Sequence, residues 1–303
     1  MFARQRGDEA ENTPALRDLR RTQARWSGLG MIEVSFHDKA VVVTGGTRGL
    51  GKAIGFEFAR AGAKTFLTHR WGSVNEQDLV GEFVAAGLPA PHVIESDASD
   101  PQAAVSLMQA IKMHAEVLDV IVSNVAFAKV ARGVDELKKA SLDLSLAYSA
   151  WPIVELLKAA KTVLGRYPRY AVGISSEGGE KCLDGYLFAG ASKAVLETLC
   201  RYLAVLLKTE GVRVNALRPG FLDTESARAT FGDAAVEAAK ARAQDLFLDP
   251  NAVARACVGL CSGLMDSVTG QVIVVDEGTS IVSRFEGLTG SALPEPFGKG
   301  GQE

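Results

Sequence analysis

The stretch from Thr44 to Gly51 constrains the fold of this chain more than any other feature. It reads Thr-Gly-Gly-Thr-Arg-Gly-Leu-Gly, follows an apolar β-branched run, and leads into a helix-period segment, Lys52 to Arg60. Glycines let the backbone bend sharply and approach a ligand, and a helix amino terminus offers unpaired N–H groups with a partial positive charge. A strand, a glycine-rich turn and a helix in this order predict the first unit of an α/β sheet with a phosphate-binding loop.

The alternation of strand and helix patterns continues along the chain. Short β-branched runs alternate with helix-period segments, which is typical of βαβ units and a parallel sheet. We therefore predict a single doubly wound (Rossmann) α/β domain over residues 38–284, a seven-stranded parallel sheet with helices on both faces. The predicted strands are Ala40–Thr44, Lys64–Thr68, His92–Glu95, Val117–Ser123, Tyr170–Ser175, Val212–Leu217 and Val272–Val275, and long helices are predicted over Val134–Leu164 and Leu183–Glu210.

The two ends of the chain differ in composition from the middle. Residues 1–37 are rich in Arg, Glu, Asp, Gly and Ser and carry no aliphatic cluster able to offset the entropy of ordering them. We predict a mostly disordered extension there, with Met31 as an alternative start of the native chain. Residues 285–303 carry Gly, Pro and polar residues and are predicted to be a loose tail.

Composition and charge exclude several classes of partner. The chain has 303 residues, 47% of them hydrophobic, which is enough to bury one large core. A net charge of -3 gives no basic field for nucleic acid or an anionic membrane, so small molecules or carrier-bound acyl groups are the expected partners. No apolar run approaches the roughly 18 residues that span a bilayer, and no secretory signal is evident, so we expect a cytoplasmic protein.

The cysteines give no sign of a metal centre or a disulfide framework. They show no Cys-x-x-Cys spacing and no nearby histidine, so we expect reduced cysteines and no bound metal. The four cysteines are Cys182, Cys200, Cys257 and Cys261.

Further motifs accompany the glycine turn. Its pattern Thr-Gly-x-x-x-Gly-x-Gly resembles the cofactor signature of the short-chain dehydrogenases/reductases, and the resemblance runs from about Lys39 to Gly278. That family usually has a residue that contacts adenine after the third strand, Asn-Asn-Ala-Gly after the fourth, a Pro-Gly loop beside the nicotinamide and a characteristic last strand. The matching segments here are Asp97, Ser123–Ala126, Arg218–Thr224, Thr269–Gln271 and Asp276–Gly278.

The resemblance implies a nicotinamide cofactor and assembly as a dimer or tetramer through the long helices, with a homotetramer expected. The residues that it implies as cofactor contacts are Thr44, Gly45, Thr47, Arg48, Gly49, Leu50, Gly51, Arg70, Asp97, Ala98, Asn124, Ala126, Lys193, Pro219, Gly220, Leu222 and Thr224.

The end of the second strand indicates which nicotinamide cofactor is bound. An NAD site normally has an acidic residue there for the ribose 2′-hydroxyl, whereas a 2′-phosphate needs positive charge. Here the strand ends in Thr-His-Arg, and Arg70 can pair with the phosphate while Arg48 of the glycine turn approaches from the other side. We predict NADP(H); the alternative is two solvated surface arginines.

The usual catalytic group of the family is incomplete here. A Ser, a Tyr and a Lys cooperate in most members, with spacing Tyr-x-x-x-Lys and the Ser thirteen residues ahead of the Tyr. Lys193 and Ser176 match their positions, but the position of the tyrosine is Ala189, which cannot donate a proton. Ser176 has the alternative role of capping backbone at a strand end.

Another tyrosine stands nearby. Tyr186 precedes Lys193 by seven residues, close to two turns at 3.6 residues per turn, so both side chains can share one helix face. This spacing resembles the enoyl-acyl-carrier-protein reductases within the family. The resemblance implies hydride transfer from NADPH to the β-carbon of an α,β-unsaturated thioester, with Tyr186 bonded to the thioester oxygen and Lys193 holding the cofactor.

Two departures from that branch leave alternatives open. Residues 176–184 lack the second tyrosine that many relatives carry, and Leu144–Ala147 provides no counterpart of the usual asparagine. We favour an enoyl-thioester reductase of fatty-acid or polyketide metabolism over a carbonyl reductase of a secondary metabolite or acyl chain, and over a non-catalytic NADPH-binding protein. The Ala-rich stretch between Phe221 and Pro250 is predicted to be a helical apolar lid, with a plain packed helix as the alternative.

Overall fold

A seven-stranded, wholly parallel sheet lies at the centre of the computed structural model, which describes residues 34–70, 75–242 and 247–281. Its strands are β1 (Ala40–Val43), β2 (Lys64–His69), β3 (His92–Glu95), β4 (Val120–Ser123), β5 (Tyr170–Ile174), β6 (Arg213–Pro219) and β9 (Val272–Val275). The predicted seven strands are confirmed, with ends that differ by three residues at most. The strand order is β3-β2-β1-β4-β5-β6-β9, so the direction of winding reverses between β1 and β4.

Helices cover both faces of this sheet, which confirms the doubly wound prediction. They are α1 (Gly49–Arg60), α2 (Glu76–Ala85), α3 (Pro101–Lys112), α4 (Lys139–Ser149), α5 (Pro152–Leu164), α6 (Leu187–Leu206), α7 (Glu225–Phe231), α8 (Asp233–Arg242) and α9 (Pro250–Leu260). Helix α1 packs against α9, while α3, α5 and α6 contribute to one continuous apolar cluster on the other face. Strand β1 is apolar throughout and β4 is apolar up to its final serine, and both are fully buried because the parallel sheet is covered on both faces.

The two long predicted helices are interrupted. The segment Val134–Leu164 contains a short 3-10 turn at its start, then α4 and α5, because Pro152 has no N–H for the preceding helix and begins a new one. The segment Leu183–Glu210 becomes helical only at Leu187, after Gly185 with φ of +70°, and ends in a separate 3-10 turn.

The segment between residues 221 and 250 differs from the single helical stretch that the sequence predicts. Two short strands, β7 (Phe221–Leu222) and β8 (Phe247–Leu248), pair in parallel and close the segment at its base. Helices α7 and α8 lie between them in the chain. Because β7 and β8 pair with each other, the two ends of this segment are held together next to β6.

Ordered structure begins before position 38. Phe36 is only 3% exposed, packs edge-on against Phe58, and its N–H donates to the carbonyl of Ala61. The extension up to residue 33 and the tail 285–303 lie outside the described residues, so their predicted disorder stays a prediction. Within the described ranges, no helix is long and apolar enough to cross a membrane.

The glycine turn after β1 depends on two kinds of glycine. Gly45 and Gly49 adopt φ of +61° and +51°, a conformation that side chains with a Cβ rarely take. Gly51 lies so close to the turn that an added Cβ would stand 2.1 Å from the carbonyl oxygen of Gly45. Helix α1 therefore starts in direct contact with the backbone of the turn.

Gly51→Ala is expected to lower the free energy of unfolding by about 1–3 kcal/mol, because the new methyl group would overlap the carbonyl of Gly45. Gly81→Ala is the matched control: its helical position has nothing within 4 Å, so the free energy of unfolding should rise by about 0.5–1 kcal/mol. Urea denaturation of both variants measures the difference. Equal effects would contradict the close approach at Gly51.

Candidate nucleotide-binding and catalytic site

Hydrogen bonds between the ends of β1 and β4 build the floor of the site. The Thr44 hydroxyl accepts from the N–H groups of Asn124 (2.9 Å) and Val125 (3.2 Å). The Asn124 side-chain amide donates back to the carbonyl of Thr44 at 3.0 Å, and the Gly45 N–H donates to the Thr68 hydroxyl. The two strands at the point of reversal are thus tied together, and the glycine turn is held beside them.

The amino terminus of α1 has the features of an anion site. Arg48 stands at its N-cap position without any side-chain hydrogen bond to the first turn, whereas the N-caps Asn75, Asp100 and Asp249 each accept such a bond. The first N–H groups of α1 therefore remain available to a ligand. The close backbone at Gly51 leaves room for a pyrophosphate, so the residues present fit a dinucleotide.

A cleft of about 250 Å³ opens beside the glycine turn, away from Tyr186. Arg48 and Lys52 reach into it from α1, where they pair with Glu225 at 3.3 Å and Glu82 at 2.6 Å. All four side chains are at least a third exposed, so these pairs are weak and a strong anion can compete for the cations.

Arg70 lies at the end of β2, as predicted, but a carboxylate already pairs with it. Its guanidinium lies 2.9 Å from Asp97 Oδ2 and 5.1 Å from the centre of the Tyr148 ring. The Tyr148 hydroxyl donates to the same Asp97 oxygen at 3.3 Å. Two predicted cofactor contacts are therefore paired with each other, and the sequence did not single out Tyr148 because its helix position says nothing about this contact.

The remaining predicted cofactor residues lie along the same carboxyl edge of the sheet. Thr47, Leu50 and Pro219 are buried, Ala98, Gly220 and Leu222 are partly buried, and Ala126 is exposed. The Thr224 hydroxyl accepts from the Ala227 N–H and so caps α7, and its side chain lies beside Gly49. The Pro-Gly loop and the glycine turn therefore meet, although the Thr224 hydroxyl is already engaged.

Ser176 and Tyr186 are brought together at the mouth of the site. The Ser176 side chain lies near the Tyr186 hydroxyl and affects its ionisation. Burial raises the pKa of the Tyr186 phenol, and Ser176 opposes that rise. Ser176 also accepts from the Gly178 N–H at 3.4 Å, so it caps a 3-10 turn as well as contacting the tyrosine.

Tyr186 precedes α6 instead of lying within it. It occupies the N-cap position, and its carbonyl accepts from the Gly190 N–H at 2.8 Å. The shared helix face predicted for Tyr186 and Lys193 is therefore corrected to a position at the helix start. Gly178 makes this possible, because an added Cβ there would stand 2.4 Å from the tyrosine ring.

An aromatic side chain of α7 packs against Tyr186. The ring of Phe231, at the end of α7, stacks on the Tyr186 ring with centroids 5.7 Å apart. Arg228 of α7 holds this helix through paired bonds of 2.7 Å to both Asp223 oxygens. Helix α7 thus presents the Phe231 ring to the tyrosine, while its Arg228 is paired with Asp223.

Lys193 lies beneath the loop that joins β5 to α6 and carries Ser176 and Tyr186 (residues 175–186), which we call the tyrosine loop. It is 3% exposed, and its ammonium donates to the Ile174 carbonyl at 2.6 Å. Burial lowers the pKa of Lys193 to about 8, while Cys200 and Glu197 act in the opposite direction. At neutral pH the side chain is therefore mainly a buried cation with donor capacity left for a ligand.

Ala189, at the position of the usual tyrosine, is 2% exposed and part of the packed core. The described site therefore offers the hydroxyls of Tyr186 and Ser176, and the Lys193 ammonium is bonded to the carbonyl two residues before Ser176. Sequence reasoning missed a buried carboxylate next to this group, Glu197, four residues after Lys193. The four-residue spacing was a signal, but most such glutamates on helices face water.

Comparison with known proteins agrees with this architecture. The family model described as Enoyl-(Acyl carrier protein) reductase matches residues 45–280. The 1-cyclohexenylcarbonyl-CoA reductase of Streptomyces collinus is 27% identical, with 84% of this chain and 92% of that protein covered. The 3-oxoacyl-[acyl-carrier-protein] reductase FabG of Aquifex aeolicus is 28% identical, with 82% and 99% covered.

Among solved structures, a dehydrogenase/reductase from Sinorhizobium meliloti 1021 superposes with a TM-score of 0.70 at 27% identity, covering 80% of this chain and 96% of the other. This chain belongs to the short-chain dehydrogenase/reductase family. It is accordingly an oxidoreductase, in a family that binds a nicotinamide cofactor and includes both enoyl and keto reductases.

Lys193→Met is expected to raise the free energy of unfolding at pH 7 by about 1–3 kcal/mol, because it removes a buried charge. The unfolded chain binds more protons than the folded chain between pH about 8 and 10.5, so the stability of the unaltered protein rises over that window. The gain should therefore shrink by pH 10. Urea denaturation at pH 7 and pH 10 measures the free energy of unfolding. The control is Lys208→Met, an exposed position at which no gain in stability is expected. A gain in Lys193→Met that does not depend on pH would contradict the lowered pKa of Lys193.

Proposed function

We propose that this protein is an NADPH-dependent reductase of α,β-unsaturated acyl thioesters. The observation that carries the proposal is the Tyr186 hydroxyl near Ser176, with buried Lys193 bonded to the carbonyl of Ile174 and only Ala189 at the usual tyrosine position. The displaced tyrosine resembles the enoyl reductase branch of the family. The description of the matching family model and the relative that reduces a cyclohexenylcarbonyl-CoA point the same way.

The chain's own residues would bind and orient the cofactor. Backbone N–H groups at the start of α1 would hold its pyrophosphate, and Lys193 would donate to the nicotinamide ribose from below. When bound, the cofactor supplies a hydride to the β-carbon of the substrate. Asn124 would keep the floor of the site in place through its bond to Thr44.

Tyr186 would act on the thioester oxygen. Its raised pKa keeps the phenol protonated at neutral pH, so it can donate a hydrogen bond to the oxygen on which negative charge develops. Ser176 would orient that hydroxyl, and the Lys193 cation would favour the charged oxygen electrostatically. Phe231 would exclude water from the reacting atoms by covering the tyrosine ring.

The substrate would be a small-molecule or carrier-bound acyl group, as in fatty-acid or polyketide metabolism. The lid supports an apolar chain, because Phe231 faces Tyr186 while Arg228 is neutralised by Asp223. Its ionic groups are engaged with each other, which leaves the acyl-binding side uncharged.

A second candidate is reduction of a keto group. The specific observation in its favour is that a Ser–Tyr hydroxyl pair suits a carbonyl oxygen equally well, and the FabG relative carries the name of a 3-oxoacyl reductase. The two reactions differ in which carbon receives the hydride. In both of them the hydroxyl of Tyr186 is required.

We propose NADP(H) as the cofactor because positive charge stands where a ribose 2′-phosphate approaches. Arg70 follows β2 with no acidic residue in the preceding three positions, and Arg48 lies across the glycine turn. A phosphate carries more charge than a carboxylate and would compete with Asp97 for Arg70 and with Glu225 for Arg48.

We further propose a homo-oligomer, a dimer or a tetramer, in the cytoplasm. Helix α6 exposes a group of apolar side chains that a monomer would leave in water. They are Tyr202, Val205 and Leu206, each more than two-thirds exposed.

Oxidation of NADPH with crotonyl-CoA and acetoacetyl-CoA, offered separately, tests the proposed reaction. We expect turnover of crotonyl-CoA, and Tyr186→Phe should reduce it at least about 100-fold while sparing NADPH binding. Tyr167→Phe, on a tyrosine outside the site, is the matched control and should keep full activity. Turnover of acetoacetyl-CoA alone favours the keto reductase, and turnover of neither with NADPH bound favours a binding protein.

Arg70→Ala is expected to weaken NADPH binding about 10–100-fold and NADH binding far less, because only NADPH carries the 2′-phosphate. Arg166→Ala, on an exposed arginine away from the sheet edge, serves as the control and should change neither constant. Fluorescence titration with both cofactors provides the measurement. An equal loss for NADPH and NADH would refute the role of Arg70.

A further inference from the structure

A buried carboxylate lies one helical turn beyond Lys193. Glu197 is 5% exposed on α6, and the reaction proposed for this protein assigns it no role. Its Oε1 accepts from the Ser175 hydroxyl at 2.6 Å and from Arg218 Nε at 2.9 Å, and its Oε2 accepts from the second Arg218 nitrogen at 2.8 Å. A buried carboxylate with three charge-assisted or hydroxyl donors is fully satisfied and held in one position.

Arg218 joins this carboxylate to two further parts of the site. It belongs to β6 and directly precedes Pro219, where the Pro-Gly loop starts. Its remaining terminal nitrogen pairs with Glu180 of the loop that carries Ser176. The guanidinium thus connects α6, β6 and the tyrosine loop, and the two carboxylates raise its pKa further above the ordinary value.

The same carboxylate restrains the backbone before Ser176. The carbonyl of Ile174 accepts from Lys193, the N–H of Ser175 donates to Leu217 at 2.7 Å, and the Ser175 hydroxyl donates to Glu197. Three neighbouring polar groups are therefore bound by two elements, α6 and β6, and Ser176 follows immediately. Its hydroxyl can reach Tyr186 only while this segment keeps its course.

We propose that Glu197 is a positioning residue of this site, which holds the Ser175–Ser176 segment in place and balances the buried cations of Lys193 and Arg218. This inference rests on the proposed function for its catalytic meaning, but its charge balance is a property of the protein with cofactor alone. Without Glu197 the Arg218 guanidinium would lose both of its bonds to this buried carboxylate, and Lys193 would lose the carboxylate one helical turn away.

The surroundings of Lys193 make the effect of Glu197 measurable. On its own helix the titratable neighbours are Cys200 and Glu197, and β6 supplies Arg218. The tyrosine loop supplies Glu180, Tyr186 and Glu177, the last of which is paired with Lys181. Helix α4, which packs on α6, buries only serines and no charged side chain. Cys200 and Glu197 both favour the charged form of Lys193, and Glu197 is the carboxylate of the two, so its removal would let the ammonium lose its proton at lower pH.

NADPH binding as a function of pH, followed by fluorescence, tests this role. The unaltered protein should lose affinity above pH about 8, where Lys193 becomes neutral. In Glu197→Gln this loss should begin roughly one pH unit lower, because a neutral amide of the same shape replaces the carboxylate. Glu197→Asp keeps the charge and should restore the original pH dependence. Leu107→Ala is a core substitution in α3, distant from Glu197 in the chain. It should lower stability without changing the pH dependence of NADPH binding.

An unshifted pH dependence in folded Glu197→Gln would overturn the proposal. If that variant does not fold, Ser175→Ala provides the test: it removes one hydrogen bond and no charge, and should reduce turnover of crotonyl-CoA about tenfold with an unchanged NADPH constant. Full turnover in Ser175→Ala would then count against the positioning role. Absence of turnover in the unaltered protein counts against the proposed reaction alone, since the pH dependence of NADPH binding needs no substrate.

Discussion

The bonds between the ends of β1 and β4 are the constraint on which the site depends. The winding reverses there, so the helices that follow these strands leave toward opposite faces and a crevice opens between them. The paired bonds of Thr44 and Asn124 close the bottom of that crevice. Glycine at position 51 is required because α1 starts in contact with this floor, and the same contact points its free N–H groups into the crevice.

The role proposed for Lys193 carries a cost in stability. An ammonium buried among apolar strands lowers the free energy of unfolding, and only the Ile174 carbonyl satisfies it directly. The site tolerates this cost because Glu197 lies one turn away, and because Arg218 and Ser175 in turn satisfy Glu197. The tyrosine loop, α6 and β6 are thereby joined into one buried polar network, which rigidifies the segment that presents Ser176.

The fold was largely predictable from sequence, and the site was predictable in part. Apolar, β-branched runs such as those of β1 and β4, and the glycine turn after β1, identified the strands of the large sheet, because strands buried on both faces carry few polar side chains. The break before Pro152 and the start of α6 at Leu187 were missed, since helical periodicity continues across both points. The pairing of Arg70 with Asp97 and Tyr148 was also missed, because it joins residues far apart in the chain.

The sequence by itself determined the class of fold, the glycine turn, the family and the absence of a tyrosine at position 189, since these depend on local spacing and on periodicity. Only the tertiary structure decided that Tyr186 stands before its helix, that Ser176 lies near its hydroxyl, and that Phe231 stacks on its ring. It also decided that Glu197 is buried against Arg218 and not solvated. The physical reason is that burial and pairing of a charge depend on which distant elements pack around it, and a pattern of neighbouring residues does not contain that information.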